Sequence, residues 1–143
     1  MRGFEPVSLP NDTLPTIPCG VALIRDGRRF LIAQRRSDDS FGSLWEFPGG
    51  KKKHDESFED CVKREVQEEV GLEVKVHEKL MELKREYHER IIWLNFYLCT
   101  QISGDPTPVE CQKVLWADVD ELSSYDFPPA NEQVIKKLLE LFG

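Results

Sequence analysis

Hydrophobic and polar positions change period several times along this chain, and the changes mark out its elements. Residues 16–25 (TIPCGVALIR) form a β-branched apolar run without polar alternation, the pattern of a buried strand. Asp26-Gly27 is a hairpin turn signal, and residues 29–36 (RFLIAQRR) read as the returning strand. A polar loop over 37–43 leads to a short strand at 44–47 (LWEF). Pro48-Gly49-Gly50 follow it, where a sharp turn is expected to leave the backbone bare. The period then becomes helical. Val62, Val66 and Val70 recur every four residues and form one apolar stripe. Ser57, with Asp60 three positions on, resembles a capping box and starts this helix; Gly71 stops it as a left-handed cap.

Beyond the helix, residues 72–87 read as one long strand in which Leu72, Val74 and Val76 alternate. His88-Glu89 is a turn, and 90–101 (RIIWLNFYLCTQ) is a strongly apolar, central strand. Gly104, Pro106 and Pro108 make 102–110 a loop. Residues 113–117 (KVLWA) form the last strand, and 119–122 a helical turn capped by Asp118. A second helix is expected over 128–142, with Pro128 or Pro129 in its first turn. Its apolar face holds Val134, Ile135, Leu138, Leu139 and Phe142. Residues 1–15 are proline-punctuated and aperiodic, an extended arm ahead of one domain over 16–143. Strands outnumber helices and do not alternate with them, so the fold class is α+β with a sheet packed between helices.

The chain has 143 residues, about one domain. Its net charge of −7 argues against a surface that holds nucleic acid by its phosphates. A single nucleotide is not excluded, because metal ions can meet its phosphates. No apolar run approaches the roughly 18–20 residues of a membrane span, and the first residues lack the apolar region of a signal peptide. Cys19, Cys61, Cys99 and Cys111 have no metal-like spacing and read as reduced thiols, which suits a cytoplasmic protein.

The first helix carries the chemistry. With Glu65 at 0°, Glu69 falls near about 40° and Glu68 near about 300° at roughly 100° per residue. The three carboxylates therefore share one stripe beside the valines. On an exposed helix such neighbours repel by about 0.2–0.5 kcal/mol per pair. The stripe is either a solvated acidic face or a seat for a hard cation with oxygen ligands. Glu56, on the loop before the helix, is aimed back toward it.

The spacing from Gly50 through Glu56, Arg64-Glu65-Val66, Glu68-Glu69 and Gly71-Leu72 resembles the Nudix box, with every position matched. Seven fixed positions at roughly 7% each match by chance about once in 10⁸ placements. Outside the box, LWEFPGGK at 44–51 and DFPPANEQVIKKL at 126–138 resemble the MutT branch of that family. The resemblance implies an α/β/α sandwich with a mixed sheet. It implies a Mg²⁺-dependent hydrolase (Mn²⁺ as substitute) that converts a nucleoside triphosphate, often 8-oxo-dGTP, to monophosphate and pyrophosphate. By this likeness Glu65, Glu68, Glu69 and the carbonyl of Gly49 hold the metal. Glu56 assists from the loop, Arg64 braces the carboxylates, and Glu110 is a distal acid acting as ligand or base. Asn131 is the residue expected to read the base, with a helix N-cap after Pro128-Pro129 as its ordinary alternative. Arg35, Phe47, Lys51 and Arg90 are the further substrate contacts.

The partners implied are a small-molecule nucleotide, with no stable nucleic acid and no membrane, and a monomer with a dimer left open. Alternatives within the class are CTP, ADP-ribose or another nucleoside diphosphate derivative; outside it stands a base-recognition domain without catalysis, like that of adenine glycosylases. Two departures from the family pattern stand out. Lys51-Lys52-Lys53-His54-Asp55 replaces its usual approach to the box glutamate. Tyr87 lies near where other branches carry a residue tied to dinucleotide or ADP-ribose substrates.

Overall fold

A computed structural model describes residues 14–39 and 41–143. The extended arm expected over 1–15 lies outside the described residues as far as residue 13. Pro15 already belongs to the fold, since its carbonyl accepts the Ile91 amide at 2.9 Å.

Two long strands form the middle of the sheet. β1 (Thr16–Asp26) runs parallel to β6 (Ile91–Ser103), in register from Thr16 opposite Ile91 to Ile24 opposite Cys99. β5 (Glu73–Glu86) lies antiparallel on the outer side of β6. On the other side of β1 the partners divide. Its first half takes β4 (Gly49–Lys51), with Cys19 opposite Lys51. Only its last two residues pair with β2 (Arg29–Gln34), across a turn in which Gly27 has φ 63°. β2 in turn carries β3 (Trp45–Glu46) and β7 (Lys113–Asp118), both antiparallel. The sheet is therefore mixed, and β1 and β6 have neighbours on both sides. Both faces of β1 are also covered, which explains its unbroken apolar run.

Successive side chains of a strand face opposite ways, and β1 supplies both halves of the core. Val21 and Leu23 point to the side of Phe30, Ile32 and Phe96, where α2 (Asn131–Phe142) lays down Val134, Ile135 and Leu138. Ala22 and Ile24 point the other way, to Leu31, Ala33 and Leu72, where α1 (Phe58–Val70) lays down Val62, Val66 and Val70. Each of these side chains larger than alanine contributes about 1.5–3 kcal/mol of burial. The result is the expected α/β/α sandwich, one helix on each face. No helix among the described residues is long and apolar enough to cross a membrane.

Local signals set the ends of α1. The Ser57 hydroxyl accepts the Asp60 amide at 3.0 Å, and Gly71 closes the helix at φ 71°. The helical turn after β7 is a 3-10 helix over Val119–Ser124, its first turn capped by the Asp118 carboxylate.

Three expectations change. Residues 49–51 are not a bare turn: they form β4, because β1 has an open edge there and the glycines let the chains approach. A Cβ on Gly49 would stand 2.4 Å from the Gly20 carbonyl oxygen. The returning strand ends at Gln34 rather than residue 36, where the Arg35 amide turns to the Leu44 carbonyl. The second helix begins at Asn131, not residue 128. Proline disfavours the helical region for the residue before it, so Phe127 and Pro128 stay outside.

Candidate active site

The helix stripe, the loop before it and β4 converge on Arg64. Its guanidinium donates to both oxygens of Glu56, from Nη2 at 2.6 Å and from Nε at 3.0 Å. Nη1 reaches Glu65 at 2.8 Å and Glu68 at 3.1 Å, and Nη2 also reaches the Lys51 carbonyl at 3.0 Å. The planar fork of arginine suits this multiple attachment. Glu56 is held further by the Lys53 amide at 2.8 Å. These bonds, Arg64 first, lower its pKa to about 2, and they raise that of Arg64.

The three stripe carboxylates are not equivalent. Glu68 is the open one, with 46% of its side chain exposed against 15% for Glu65. Glu65 lies on the backbone of Gly50, where a Cβ would come within 2.4 Å of its Oε1. Gly50 is thus a cradle for a carboxylate, which is the reason a side chain is excluded there. Burial raises the Glu65 pKa against the pull of Arg64.

Glu69 is half-buried, and its Oε1 has no hydrogen-bond partner among the described residues. Burial first, then the charges of Glu46 and Glu65, push its pKa up to about 9, while the Gly49 backbone opposes the rise. Glu110 adds to the crowding of both Glu65 and Glu69. The loop that carries it is tied to α1 through the Val109 and Glu110 amides, which donate to the Glu69 carbonyl at 3.1 and 3.2 Å.

Among the described residues no three acidic, histidine or cysteine side chains converge tightly enough to chelate an ion as they stand; Arg64 holds Glu65 and Glu68 itself. The donor set nevertheless fits a hard divalent cation. It is all oxygen, it is crowded with like charge, and one buried oxygen lacks any partner.

Next to this cluster a cavity of about 510 Å³ opens between the sheet and the start of α2. Gly49 and Gly50 line it, and so do Pro128 to Asn131. Of the residues expected to touch substrate, Arg35, Phe47 and Asn131 line it. Arg35 donates from Nη1 to Glu46 at 3.0 Å. Phe47 is 4% exposed and stacks on Phe127, with ring centroids 5.2 Å apart. The Asn131 side chain reaches the Pro128 carbonyl at 3.5 Å, and Ala130, without a side-chain bond, stands at the cap position. Arg90 is outside the lining, its guanidinium 5.7 Å from the Tyr87 ring centroid. The Lys51 side chain is exposed, and the residue's contribution here is its carbonyl.

The walls also hold Glu46, Arg85 and Phe41, none of which was singled out in the sequence. Period-two alternation from Leu83 places Arg85 and Tyr87 on one face of β5, so Arg85 was open to discovery once the strand's inner face was known. Glu46 offers no signal between its aromatic neighbours. A second cavity of about 480 Å³, at the β1–β2 turn, contains none of the carboxylates of the cluster.

The NUDIX domain family matches residues 20–137. The 8-oxo-dGTP diphosphatase of Escherichia coli is 38% identical over 85% of this chain and 95% of its own length. The CTP pyrophosphohydrolase of the same organism is 34% identical over 82% of this chain and 86% of its own. Among solved structures, the E. coli ORF135 protein superposes with a TM-score of 0.82 at 31% identity, covering 92% of this chain and 94% of that one. An unbroken box, a fold shared across nearly the full length and this degree of identity leave one assignment: the chain belongs to the Nudix family, as a MutT-like hydrolase of phosphoric anhydride bonds.

Proposed function

We propose that the chain hydrolyses a nucleoside triphosphate, 8-oxo-dGTP foremost, to the monophosphate and pyrophosphate, in the cytoplasm and as a monomer. The observation that carries this reading is continuity: the cavity with Phe47 and Asn131 on its walls ends on Gly50, under the Glu65 carboxylate. A base in the cavity and phosphates over the carboxylates suit one extended nucleotide.

Nudix hydrolases require a divalent metal ion. Here Glu65, Glu68, Glu69 and the Gly49 carbonyl would hold it, and Mg²⁺ is the ion proposed. When bound, such an ion neutralises polyphosphate charge and acidifies water. The chain's own groups do the rest. Arg64 keeps Glu65 and Glu68 oriented, and Glu56, ionised at all ordinary pH, anchors Arg64. Glu68, open to solvent on one side, is placed to accept a proton from the attacking water. Asn131 offers one acceptor and two donors side by side to the base edge, and Phe47 closes the apolar wall.

Glu69 makes metal loading a protonic event. Its pKa of about 9 in the folded chain stands above the ordinary value of 4.5. The metal-free protein thus keeps a proton there that the unfolded chain loses, and its stability falls as pH rises between those values. Loading the site expels that proton. The affinity for Mg²⁺ therefore rises with pH through the same window, and binding at pH 7 releases protons. Calorimetry in two buffers of unlike ionisation enthalpy measures the release; zero protons at pH 7 would contradict the assignment of Glu69.

The activity is tested by a hydrolysis screen with Mg²⁺ over 8-oxo-dGTP, the ordinary nucleoside triphosphates, ADP-ribose and diadenosine polyphosphates. The expected result is the highest kcat/KM for 8-oxo-dGTP, with pyrophosphate as co-product. Preference for CTP would move the chain toward its pyrimidine-acting relative. Preference for ADP-ribose would remove the base-reading role of Asn131.

A further inference from the structure

Residues 107–112 cross from the C-terminal end of α1 to the end of β2, and Glu110 lies among them. At the α1 end the Thr107 amide donates to the Val70 carbonyl at 2.9 Å, and the amides of Val109 and Glu110 donate to the Glu69 carbonyl. At the β2 end the Gln112 amide donates to the Gln34 carbonyl at 2.9 Å. The Gln112 side chain goes further. Its Nε2 donates to the Arg35 carbonyl at 2.8 Å and to the Ser43 hydroxyl at 3.3 Å. Building on the nucleotide reading above, with Glu110 as its distal acid, we propose that Gln112 is a positioning residue for hydrolysis. Its carboxamide fixes this crossing segment against the wall of the base cavity, and so holds Glu110 beside the carboxylate cluster.

Two segments far apart in the chain meet through this residue. One supplies Arg35 and Phe41 to the cavity. Its closure uses unfavourable backbone: Phe41 and Ser43 have φ of 56° and 67°, the left-handed region that residues other than glycine rarely adopt. Ser43 is held there by its amide, which donates to the Arg35 carbonyl at 3.1 Å, and by the Gln34 side chain, which donates to its own carbonyl at 3.0 Å. The Arg35 carbonyl therefore accepts from Ser43 and Gln112 together. The other segment carries Glu110, whose charge reaches both Glu65 and Glu69. A reciprocal bond runs from Arg36 Nη2 to the Val109 carbonyl, at a longer 3.3 Å.

The crossing segment is neither helix nor strand. No ladder fixes the direction of Glu110, so single bonds on either side of it have to. Cys111, between Glu110 and Gln112, is buried in the cluster that holds Val66 and Val70. It pins the depth of the segment but offers no direction. A carboxamide supplies two donors without charge, which suits a place next to Arg35 and Arg36. A reacting group displaced by about 1 Å can lose about 10²-fold in rate.

The test uses Gln112→Met, which keeps the length of the side chain and removes both donors, and Gln112→Lys, which keeps a donor. Gln112→Met is also combined with Glu110→Gln. In the metal-free protein, amide hydrogen exchange over residues 107–112 is expected to speed up about tenfold in Gln112→Met, while the Ser57 end of α1 is unchanged. With Mg²⁺ and the nucleotide that the wild type hydrolyses best, kcat falls about tenfold and KM stays within about twofold. In the Glu110→Gln background the same substitution changes kcat by less than about twofold, because the group it positions is already gone. Gln112→Lys recovers part of the loss. Unchanged exchange overturns the proposal whatever the substrate. So does an equal loss of kcat in both backgrounds, which a merely structural role would give, and so does wild-type turnover by Glu110→Gln. A loss carried by KM alone would confine Gln112 to the Arg35 wall and also overturn it. A wild type that prefers another nucleotide class overturns the substrate reading alone, since the exchange result stands and the kinetic comparison is then made on that substrate.

Discussion

Replacing Glu68 with Gln lowers kcat by about 10³-fold while the protein remains folded, the range expected when a positioned proton acceptor is lost. The substitution is informative because of where Glu68 sits. Nearly half of its side chain is in solvent, and among the described residues it pairs with Arg64 at 3.1 Å, an arginine also held by Glu56 and Glu65. Glutamine keeps the size and can still accept from Arg64, so packing and the brace persist. What disappears is a negative charge and a basic oxygen where the proposed function puts the reacting phosphates. Steady-state kinetics with Mg²⁺, next to a denaturation curve, separates the two effects. Near-normal turnover by the folded variant would remove Glu68 from the chemistry and weaken the whole metal assignment.

Arg64→Ala is expected to fail in both respects. It leaves Glu56 and Glu65, each about 15% exposed or less, without their common cation. Stripping one partner from a buried ion pair costs about 3–5 kcal/mol. Here partial solvent access reduces that to about 2–3 kcal/mol, read as a lower denaturation midpoint at unchanged m-value. Activity is expected to fall as well, because Glu68 loses the one positioning bond it makes among the described residues. The pH dependence carries a specific signature. The Glu56 pKa is depressed to about 2 in the folded chain, from an ordinary 4.5. Its contribution to stability is present above the ordinary value and lost as pH falls toward the depressed one. The acid limb of the wild type's stability profile is therefore steep, and in Arg64→Ala it flattens. An unchanged acid limb would mean that the Glu56–Arg64 pair does not stabilise the fold in solution. Arg64→Lys restores charge but not the fork, and recovers only part of either loss.

Both predictions come from groups that the chain's own spacing made visible. Along one helix, sequence distance is spatial distance, so carboxylates at positions 65, 68 and 69 had to share a stripe beside Val62, Val66 and Val70. Helix ends are equally local, and the Ser57 and Gly71 caps were legible for that reason. So was the amphipathic face of α2, although its start was misplaced by three residues, where two prolines permit a helix to begin without saying that it must.

What spacing could not show is anything set by strand adjacency. β4 exists because β1 has a free edge beside it, a fact about neighbours rather than about Gly49–Lys51. Arg90 looked like a substrate contact and sits on Tyr87, while Arg85, five residues earlier, lines the cavity. Arg85 lies on β5 and Arg90 in the turn that follows it, so only the pairing of β5 with β6 shows which of them reaches the cavity.

By itself the sequence determined the box helix with its caps and the acidic stripe, because each rests on contacts within a few residues. Only the tertiary structure decided that Gly50 lies under Glu65, that Glu46 and Arg35 share one wall, and that Arg85 lines the same cavity. Those relations join strands that are tens of residues apart, and their pairing is chosen by burial of the whole sheet between two helices rather than by any local pattern.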